Sequence, residues 1–411
     1  MNAETKEAST VYLDDDKCRG CVNCMKRCPT DAIRVRGGKA SVIYSRCIGC
    51  GECIRRCPHG AKLAAYDPIS VIESFKYKVA LVPPSFYGQF ATKNTKKILS
   101  ALLSMGFTDV VEVGGAAELV TDATLRILDG NLVPAPVIST ACPAVVELIY
   151  NRFGGLVPHM LHALTPVDIV AKLTRGKYEK AGYDQSEVGV FFISPCPAKV
   201  FALKSNMCVL DKNVDGVLAV SEVYKHIQPL VNTADEKLVT SKLGVEGLSW
   251  AVSGGEAQAV MRSEYIAADG IENVINILNS IEDRQLSGIE FVELSACVGG
   301  CVGGVLNVEN PFLARARLRE LRKSLPAKMN TFEKERKHLD FYLWERNPDK
   351  SIKHIDRMQA MSRIVEYNEI LKSLPGINCG ICGAPSCSAF ADDIVSGRIP
   401  DDSKCPMKND G

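Results

Sequence analysis

Apolar and polar positions change their rhythm three times along the chain. Near the start, Val11 to Leu13, Ile33 to Val35 and Ser41 to Tyr44 are short alternating runs, which predict small strands around loops. From about Tyr77 the texture differs: Val79-Ala-Leu-Val runs into Pro83-Pro84-Ser85, the pattern of a buried strand entering a loop. Val110 to Val113, Val137 to Thr140, Val188 to Ser194 and Ile289 to Leu294 are further apolar, β-branched runs. Helical spacing lies between them, in Thr95 to Met105, Ala116 to Leu128 and Ala257 to Tyr265. Strands alternating with helices predict an α/β domain with a largely parallel sheet. From Pro311 to Ser373 the pattern is helical, as in Leu313-Ala-Arg-Ala-Arg-Leu318, with 15 Lys or Arg against 9 Asp or Glu. That excess is either a solvated face or a docking face for an acidic electron partner. The chain then closes in a compact Cys- and Gly-rich stretch, Asn378 to Pro406.

Composition narrows the function classes. With 411 residues, 46% apolar and 24% charged, the chain reads as an ordinary globular protein of several domains. A net charge of +1 argues against global attraction to nucleic acid or an anionic membrane. The most apolar window, Asn131 to Tyr150, holds Pro134, Pro136, Pro143 and Glu147, so it is a poor membrane span. Gly114-Gly115 and Gly254-Gly255 lack the spacing of a phosphate or dinucleotide loop. No hydrolase triad and no nucleic-acid module is evident. The outlying count is cysteine, at 17. Met1 to Thr10 has no apolar core of the signal-peptide kind, so the expected compartment is a reducing cytoplasm, in an anaerobe. Clustered cysteines there are metal ligands or catalytic groups rather than disulfides.

Eight of the 17 form an internal repeat. Cys18-Arg-Gly-Cys21-Val-Asn-Cys24-Met-Lys-Arg-Cys28-Pro29 recurs as Cys47-Ile-Gly-Cys50-Gly-Glu-Cys53-Ile-Arg-Arg-Cys57-Pro58. Two copies of C-x2-C-x2-C-x3-C-P form the bacterial two-cluster ferredoxin pattern, in which the fourth Cys of each run ligates the other cluster. The expected sets are Cys18, Cys21, Cys24 and Cys57 on one cubane, and Cys47, Cys50, Cys53 and Cys28 on the second. A pair of zinc sites gives no reason for this tandem spacing. Cys379, Cys382, Cys387 and Cys405 are another four-thiolate set, with Gly376, Gly380 and Gly383 allowing close backbone wrapping. Four cysteines alone suit zinc as well as iron–sulfur. Asn-Cys-Gly-Ile-Cys-Gly-Ala-Pro-Ser-Cys with Phe390-Ala-Asp-Asp-Ile resembles the 4Fe–4S module of corrinoid iron–sulfur proteins, which implies a third such cluster.

Cys142, Cys196 and the pair Cys297 and Cys301 remain, each flanked by Pro or Gly and each just after a predicted strand. Open parallel sheets place their sites at the carboxyl ends of strands, so convergence is expected. Cys208 has neither context and reads as a small buried hydrophobe.

Ser-Thr-Ala-Cys142-Pro, Ser-Pro-Cys196-Pro-Ala-Lys199 and Glu-Leu-Ser-Ala-Cys297-Val-Gly-Gly-Cys301-Val-Gly-Gly resemble the three signature segments of the FeFe (iron-only) hydrogenases. The resemblance implies that Cys142, Cys196, Cys297 and Cys301 hold the cubane of an H-cluster. Cys301 would bridge to a two-iron subcluster carrying CO, cyanide and a dithiolate. It also implies that Lys199 pairs with one cyanide, while Pro84 and Ser85 contact the other. The departures are specific. The family's proton-passing Cys is Ala141; Ser194 and Ser295 replace methionines; Val145 stands where an aromatic is expected; and the relay serine falls near Leu161. The relay acids fall in a stretch holding Glu118 and Asp122. His159 and His162 lie beside that gap, as structural residues or as a substitute relay.

The expected fold is α/β: an H-cluster domain with parallel sheets at 77–310, after an N-terminal α+β two-cluster ferredoxin domain at 1–76. A helical connector at 311–373 and a small C-terminal helical iron–sulfur module at 374–411 complete it. The expected function is reversible H2 oxidation and proton reduction, with electrons passing through three accessory 4Fe–4S clusters. Turnover is expected to be slow, as in a hydrogen or redox sensor. The partners implied are H2 and protons, plus a ferredoxin or a signalling partner, with no nucleic acid and no membrane. The competing expectation is a non-catalytic electron-transfer or redox-signalling protein with a bare cubane at the third site.

Overall fold

The computed structural model describes residues 10–205, 213–337, 357–400 and 405–407. Cys208 and part of the expected connector, 338–356, lie outside them. The chain divides into two compact units, the smaller drawn from 11–47, 52–64 and the C-terminal segment, the larger from 48–51 and the long stretch after Ala65. No helix among the described residues is long and apolar enough to cross a membrane.

In the smaller unit, β1 (Val11–Leu13), β2 (Ile33–Arg36), β3 (Lys39–Val42) and β4 (Lys62–Ala64) form two antiparallel pairs, β1 with β4 and β2 with β3. Gly37 and Gly38, both at positive φ, make the two-residue turn between β2 and β3. Such a turn requires φ > 0 at both central positions, which glycine supplies without steric cost. The short helices Asn23–Lys26 and Glu52–Arg55 occupy equivalent places in the two cysteine runs.

The helices Arg357–Ser373 and Cys387–Val395 belong to the same unit. Val35 of β2 donates its backbone N–H to Gly383 O at 2.9 Å. A side chain on Gly383 would strike Val35 O at 2.3 Å, so only glycine permits that approach. Beneath it, Arg34 (2% exposed) donates to both carboxylate oxygens of Asp393 (0% exposed), at 2.6 and 2.8 Å. Arg36 and Arg398 reach the same carboxylate. Removing one partner of a buried pair leaves uncompensated charge, at a cost of about 3–5 kcal/mol. Asp393→Asn should therefore weaken the urea-unfolding transition of the smaller unit by about that much. A loss below about 1 kcal/mol, the ceiling for exposed pairs, would assign the packing to Phe390 and Ile394 instead.

The larger unit carries two parallel sheets. Its strands are β5 (Tyr77–Val82), β6 (Asp109–Glu112), β7 (Val137–Ile138), β8 (Val188–Ser194), β9 (Gly216–Ala219), β10 (Tyr265–Asp269) and β11 (Phe291–Ser295). One sheet has the order β6-β5-β8-β9 and the other β10-β11-β7, with every neighbouring pair parallel. All seven residues of β8 are buried, as expected of a strand covered on both faces. The helix Thr95–Met105 begins at Asn94, whose side chain accepts from Lys97 N, and stops at Gly106 with φ 119°. Its Ile98, Leu99 and Leu102 enter the core with Phe86, Phe191 and Leu218. Ala314, Leu318 and Leu321 of the helix Pro311–Arg322 join the same core, leaving the basic positions between them outside it.

One element differs in kind from the sequence expectation. The helix expected over Ala257 to Tyr265 runs from Gly255 to Val260 and ends at Met261, which has φ 54°. Tyr265 then opens β10, whose five residues pair in register with β11. Pairing with a neighbour distant in sequence decides the conformation there, and local spacing does not report it.

Candidate metal centre

In the smaller unit, Cys18, Cys21, Cys24 and Cys57 line one small cavity. The repeat has a structural counterpart. Ala32 N donates to Cys28 Sγ and Ala61 N donates to Cys57 Sγ, each at 3.2 Å and each four residues beyond its cysteine. Amide donors to cluster sulfurs are among the features that set cluster potentials. Cys47 and Cys28 lie close enough to Cys53 to act on its thiol, which burial first, then Cys47, pushes up to about 12. Cys50 is half-buried, on the segment 48–51 of the larger unit. In the C-terminal segment, Cys379 and Cys405 both act on Cys382, whose thiol burial pushes up. Cys387 is buried, and its N–H donates to Asn378 Oδ1 at 2.8 Å. Gly380 and Gly383 have φ of 85° and 79° and carry the loop around these sulfurs.

The second centre is built at the carboxyl ends of both parallel sheets. Cys196 follows β8, Cys142 follows β7, and Cys297 follows β11. Cys142 and Cys196 directly precede helices that start with Pro143 and Pro197, where a missing N–H costs nothing. Gly299 and Gly300, both at φ 85°, form the turn from Cys297 to Cys301. A Cβ at Gly300 would come within 2.5 Å of Ser253 N.

Lys199 stands in the middle. Its Nζ donates to Cys301 Sγ at 3.6 Å and to Ala141 O at 3.3 Å. Burial works to lower its pKa, but Cys301, Cys196 and Cys142 outweigh that and hold it above the ordinary lysine value. Burial pushes the Cys196 thiol up to about 11 against the pull of Lys199. Ser194 donates to Cys196 O at 2.9 Å and shapes that turn. Among the described residues, no three His, Cys, Asp or Glu side chains are placed to hold one metal ion. A cubane takes each thiolate on a different iron, whereas a single zinc gathers its ligands at one point.

A cavity of about 70 Å³ adjoins Lys199, lined by Pro84, Ser85, Ala141, Trp250 and Cys301 among others. Ser85 Oγ and Trp250 Nε1 are buried there without a hydrogen-bond partner among the described residues. An ammonium has three donors, and protein groups take two of those of Lys199. A buried cation with one spare donor, facing an apolar cavity with orphaned polar atoms, fits an anionic, hydrogen-bond-accepting group. The residues present therefore suit an iron centre with small anionic ligands. Trp250 carried no signal in the sequence, because it comes from the end of a short helix remote from every cysteine motif.

Two buried acids were also not evident from the motifs. Glu256 accepts from Ser139 Oγ at 2.6 Å, and Ser139 Oγ accepts from Ala141 N at 3.2 Å. Glu293 accepts from Gly254 N and Ala257 N at 2.9 and 2.8 Å. Burial, and then the charge of Glu293, raise the pKa of Glu256, while Lys199 works the other way. Glu293 is raised by burial, with Asp269 adding to it. Glu118 and Asp122 are otherwise engaged: Glu118 accepts from Met329 N and Asn330 N, and Asp122 pairs with Arg336. Leu161 is buried, and its carbonyl accepts from Thr140 Oγ1. His159 Nδ1 lies 3.1 Å from Pro134 O, a contact that fixes the loop before β7.

Comparison with known proteins agrees with this architecture. Residues 76–268 and 262–305 match the family described as iron only hydrogenase large subunit, C-terminal domain. Residues 10–58 match a 4Fe-4S dicluster domain, and 374–407 match a putative Fe-S cluster domain. Iron hydrogenase 1 of Clostridium pasteurianum is 23% identical over 57% of this chain and 50% of its own length, so this chain spans only half of that relative. The periplasmic Fe hydrogenase large subunit of Nitratidesulfovibrio vulgaris is 24% identical over 74% of this chain and 87% of its own. The corrinoid/iron-sulfur protein large subunit of Moorella thermoacetica is 52% identical over 42 residues, 10% of this chain and 9% of its own length. Among solved structures, a variant of the FeFe-hydrogenase HydA1 from Chlamydomonas reinhardtii superposes with a TM-score of 0.50 at 16% identity. It covers 65% of this chain and 90% of that one, a likeness of fold. With more than half of its length matched to the one domain, this chain belongs to the iron-only (FeFe) hydrogenase family.

Proposed function

We propose that this chain carries out slow, reversible oxidation of H2 to two protons and two electrons, in the service of hydrogen or redox sensing. Cys142, Cys196, Cys297 and Cys301 would hold an H-cluster, its cubane and its two-iron subcluster. When bound, that centre supplies the metal site at which the H–H bond is made or broken. The observation that carries the reading is the buried Lys199 ammonium, set against cysteine sulfur beside a cavity where Ser85 Oγ has no hydrogen-bond partner among the described residues. Lys199 would anchor one cyanide, and Pro84 with Ser85 the other. Cys18, Cys21, Cys24 and Cys57, then Cys47, Cys50, Cys53 and Cys28, then Cys379, Cys382, Cys387 and Cys405 would hold the three accessory clusters. A ferredoxin or a signalling protein would exchange electrons with them. The segments 1–76, 77–310, 311–373 and 374–411 serve as the functional modules, in a reducing cytoplasm.

Proton supply sets the rate in this account. Ala141 has no exchangeable proton, so no side chain at that position hands one to the centre. Ser139 and Glu256 offer a substitute, with Glu256 holding the proton and Ser139 turning its hydroxyl to pass it on. The last interval, past Ala141, falls to water in the cavity. A thiol in contact would be faster. Ala141→Cys, matured with its cofactor, should therefore raise hydrogen evolution from a reduced viologen by about tenfold or more, a fraction of the usual general-acid contribution. Unchanged turnover at full iron content would place the limit elsewhere.

A further inference from the structure

Lys62 opens β4 in the smaller unit and is 1% exposed. Lysine is almost never fully buried unless paired. Yet its Nζ has no hydrogen-bond partner among the described residues, and no carboxylate pairs with it there. Its surroundings are sulfur. Lys62 lines the cavity shared by Cys18, Cys21, Cys24 and Cys57. That cavity draws on both runs of the repeat, since Cys57 comes from the second.

An isolated ammonium at that depth is strongly destabilising, and a methionine would fill the space without that cost. The residue makes physical sense beside a buried anion. A 4Fe–4S core on four thiolates is such an anion, and each added electron makes it more negative. We propose that Lys62 is the counter-charge of the cubane held by Cys18, Cys21, Cys24 and Cys57, stabilising its reduced form and setting its reduction potential. It touches no substrate; it is a tuning residue acting through charge, one of the levers by which a protein adjusts a cluster. The inference rests on the two-cluster reading of the repeat and is independent of the chemistry at Lys199.

The test is an EPR-monitored redox titration of the full matured chain carrying Lys62→Met. Iron and acid-labile sulfide are measured first, so that absence of clusters is told apart from clusters with unaltered potentials. One of the two ferredoxin couples should become harder to reduce by about tenfold, which is about 59 mV for a one-electron couple. Lys62→Arg, which keeps the charge, should stay within about twofold of the parent equilibrium, a fraction of that 59 mV interval. A change below twofold in the loaded methionine variant would overturn the proposal. If Lys62→Met fails to assemble its clusters while Lys62→Arg assembles them, charge is required and the proposal stands. If neither assembles, shape rather than charge is what the position demands, and it falls.

Discussion

Glu256→Gln should lower hydrogen turnover by about a hundredfold at neutral pH, the lower end of what a positioned proton carrier contributes. Glutamine has nearly the same shape and its amide oxygen can still accept from Ser139, so the fold is retained. What it cannot do is carry a proton and release it. In the parent chain, burial and the neighbouring Glu293 hold the Glu256 pKa above the ordinary carboxylate value, so the acid form persists toward neutrality. The sign follows. As pH rises through that elevated value the proton is lost, and proton reduction slows. The variant should lose that limb of the pH profile along with its rate. Turnover within about threefold of the parent, at equal iron content, would exclude this carrier, because general acid–base catalysis contributes far more than that.

Lys199→Met should have a larger effect, removing more than about 99.9% of the activity, equivalent to about 4 kcal/mol at 1.36 kcal/mol per tenfold. The lysine touches Cys301 Sγ directly, and it works electrostatically on Cys196 and Cys142 as well. Without it, a two-iron unit with anionic ligands would face an uncompensated charge in an apolar cavity. The cubane has its own four thiolates and should remain. Iron content should then fall by about two atoms per chain, the difference between a bare cubane and a six-iron centre. Asp168 provides a second readout. It is buried, accepts from Thr165 Oγ1 at 2.5 Å, and is raised by burial to about 6 while Lys199 lowers it. Loss of that cation should raise it further. Lys199→Arg should not restore function, because a planar fork does not occupy the place of a compact ammonium.

The elements legible in the sequence are those whose signal is local. Val188–Ser194 is apolar at nearly every position because both faces of β8 are covered, and its bounds were evident from that run. Thr95–Met105 carried an N-cap and a terminal glycine. The strands β9 and β10 were not legible. Gly216–Ala219 is short, and Tyr265–Asp269 is extended only because β11 lies beside it. The split into two parallel sheets, rather than one, also depends on partners far apart in the chain.

The site divides in the same way. Cys142, Cys196 and Cys301 announce themselves through their Pro- and Gly-rich flanks, and they surround Lys199. Glu256 and Glu293 do not, since 36 residues separate them and the packing of a short helix on β11 makes them neighbours. One clue was present. Glu293 sits within the apolar strand Phe-Val-Glu-Leu, and a carboxylate at such a position needs a partner or a proton. Lys62 offered no comparable clue. Lys-Leu-Ala after a Cys-Pro turn reads as an ordinary strand edge until burial is known.

The reading at Lys199 turns on whether a two-iron unit with diatomic ligands is present. The most direct measurement is the infrared spectrum of the full chain after expression with the FeFe-hydrogenase maturation machinery, alongside iron analysis. CO and cyanide stretching bands are expected and, from four cubanes and two further irons, about 18 iron atoms per chain. A protein loaded with its cubanes that shows neither kind of band would contradict it, and would identify the chain as an electron-transfer protein with a bare cluster at that centre.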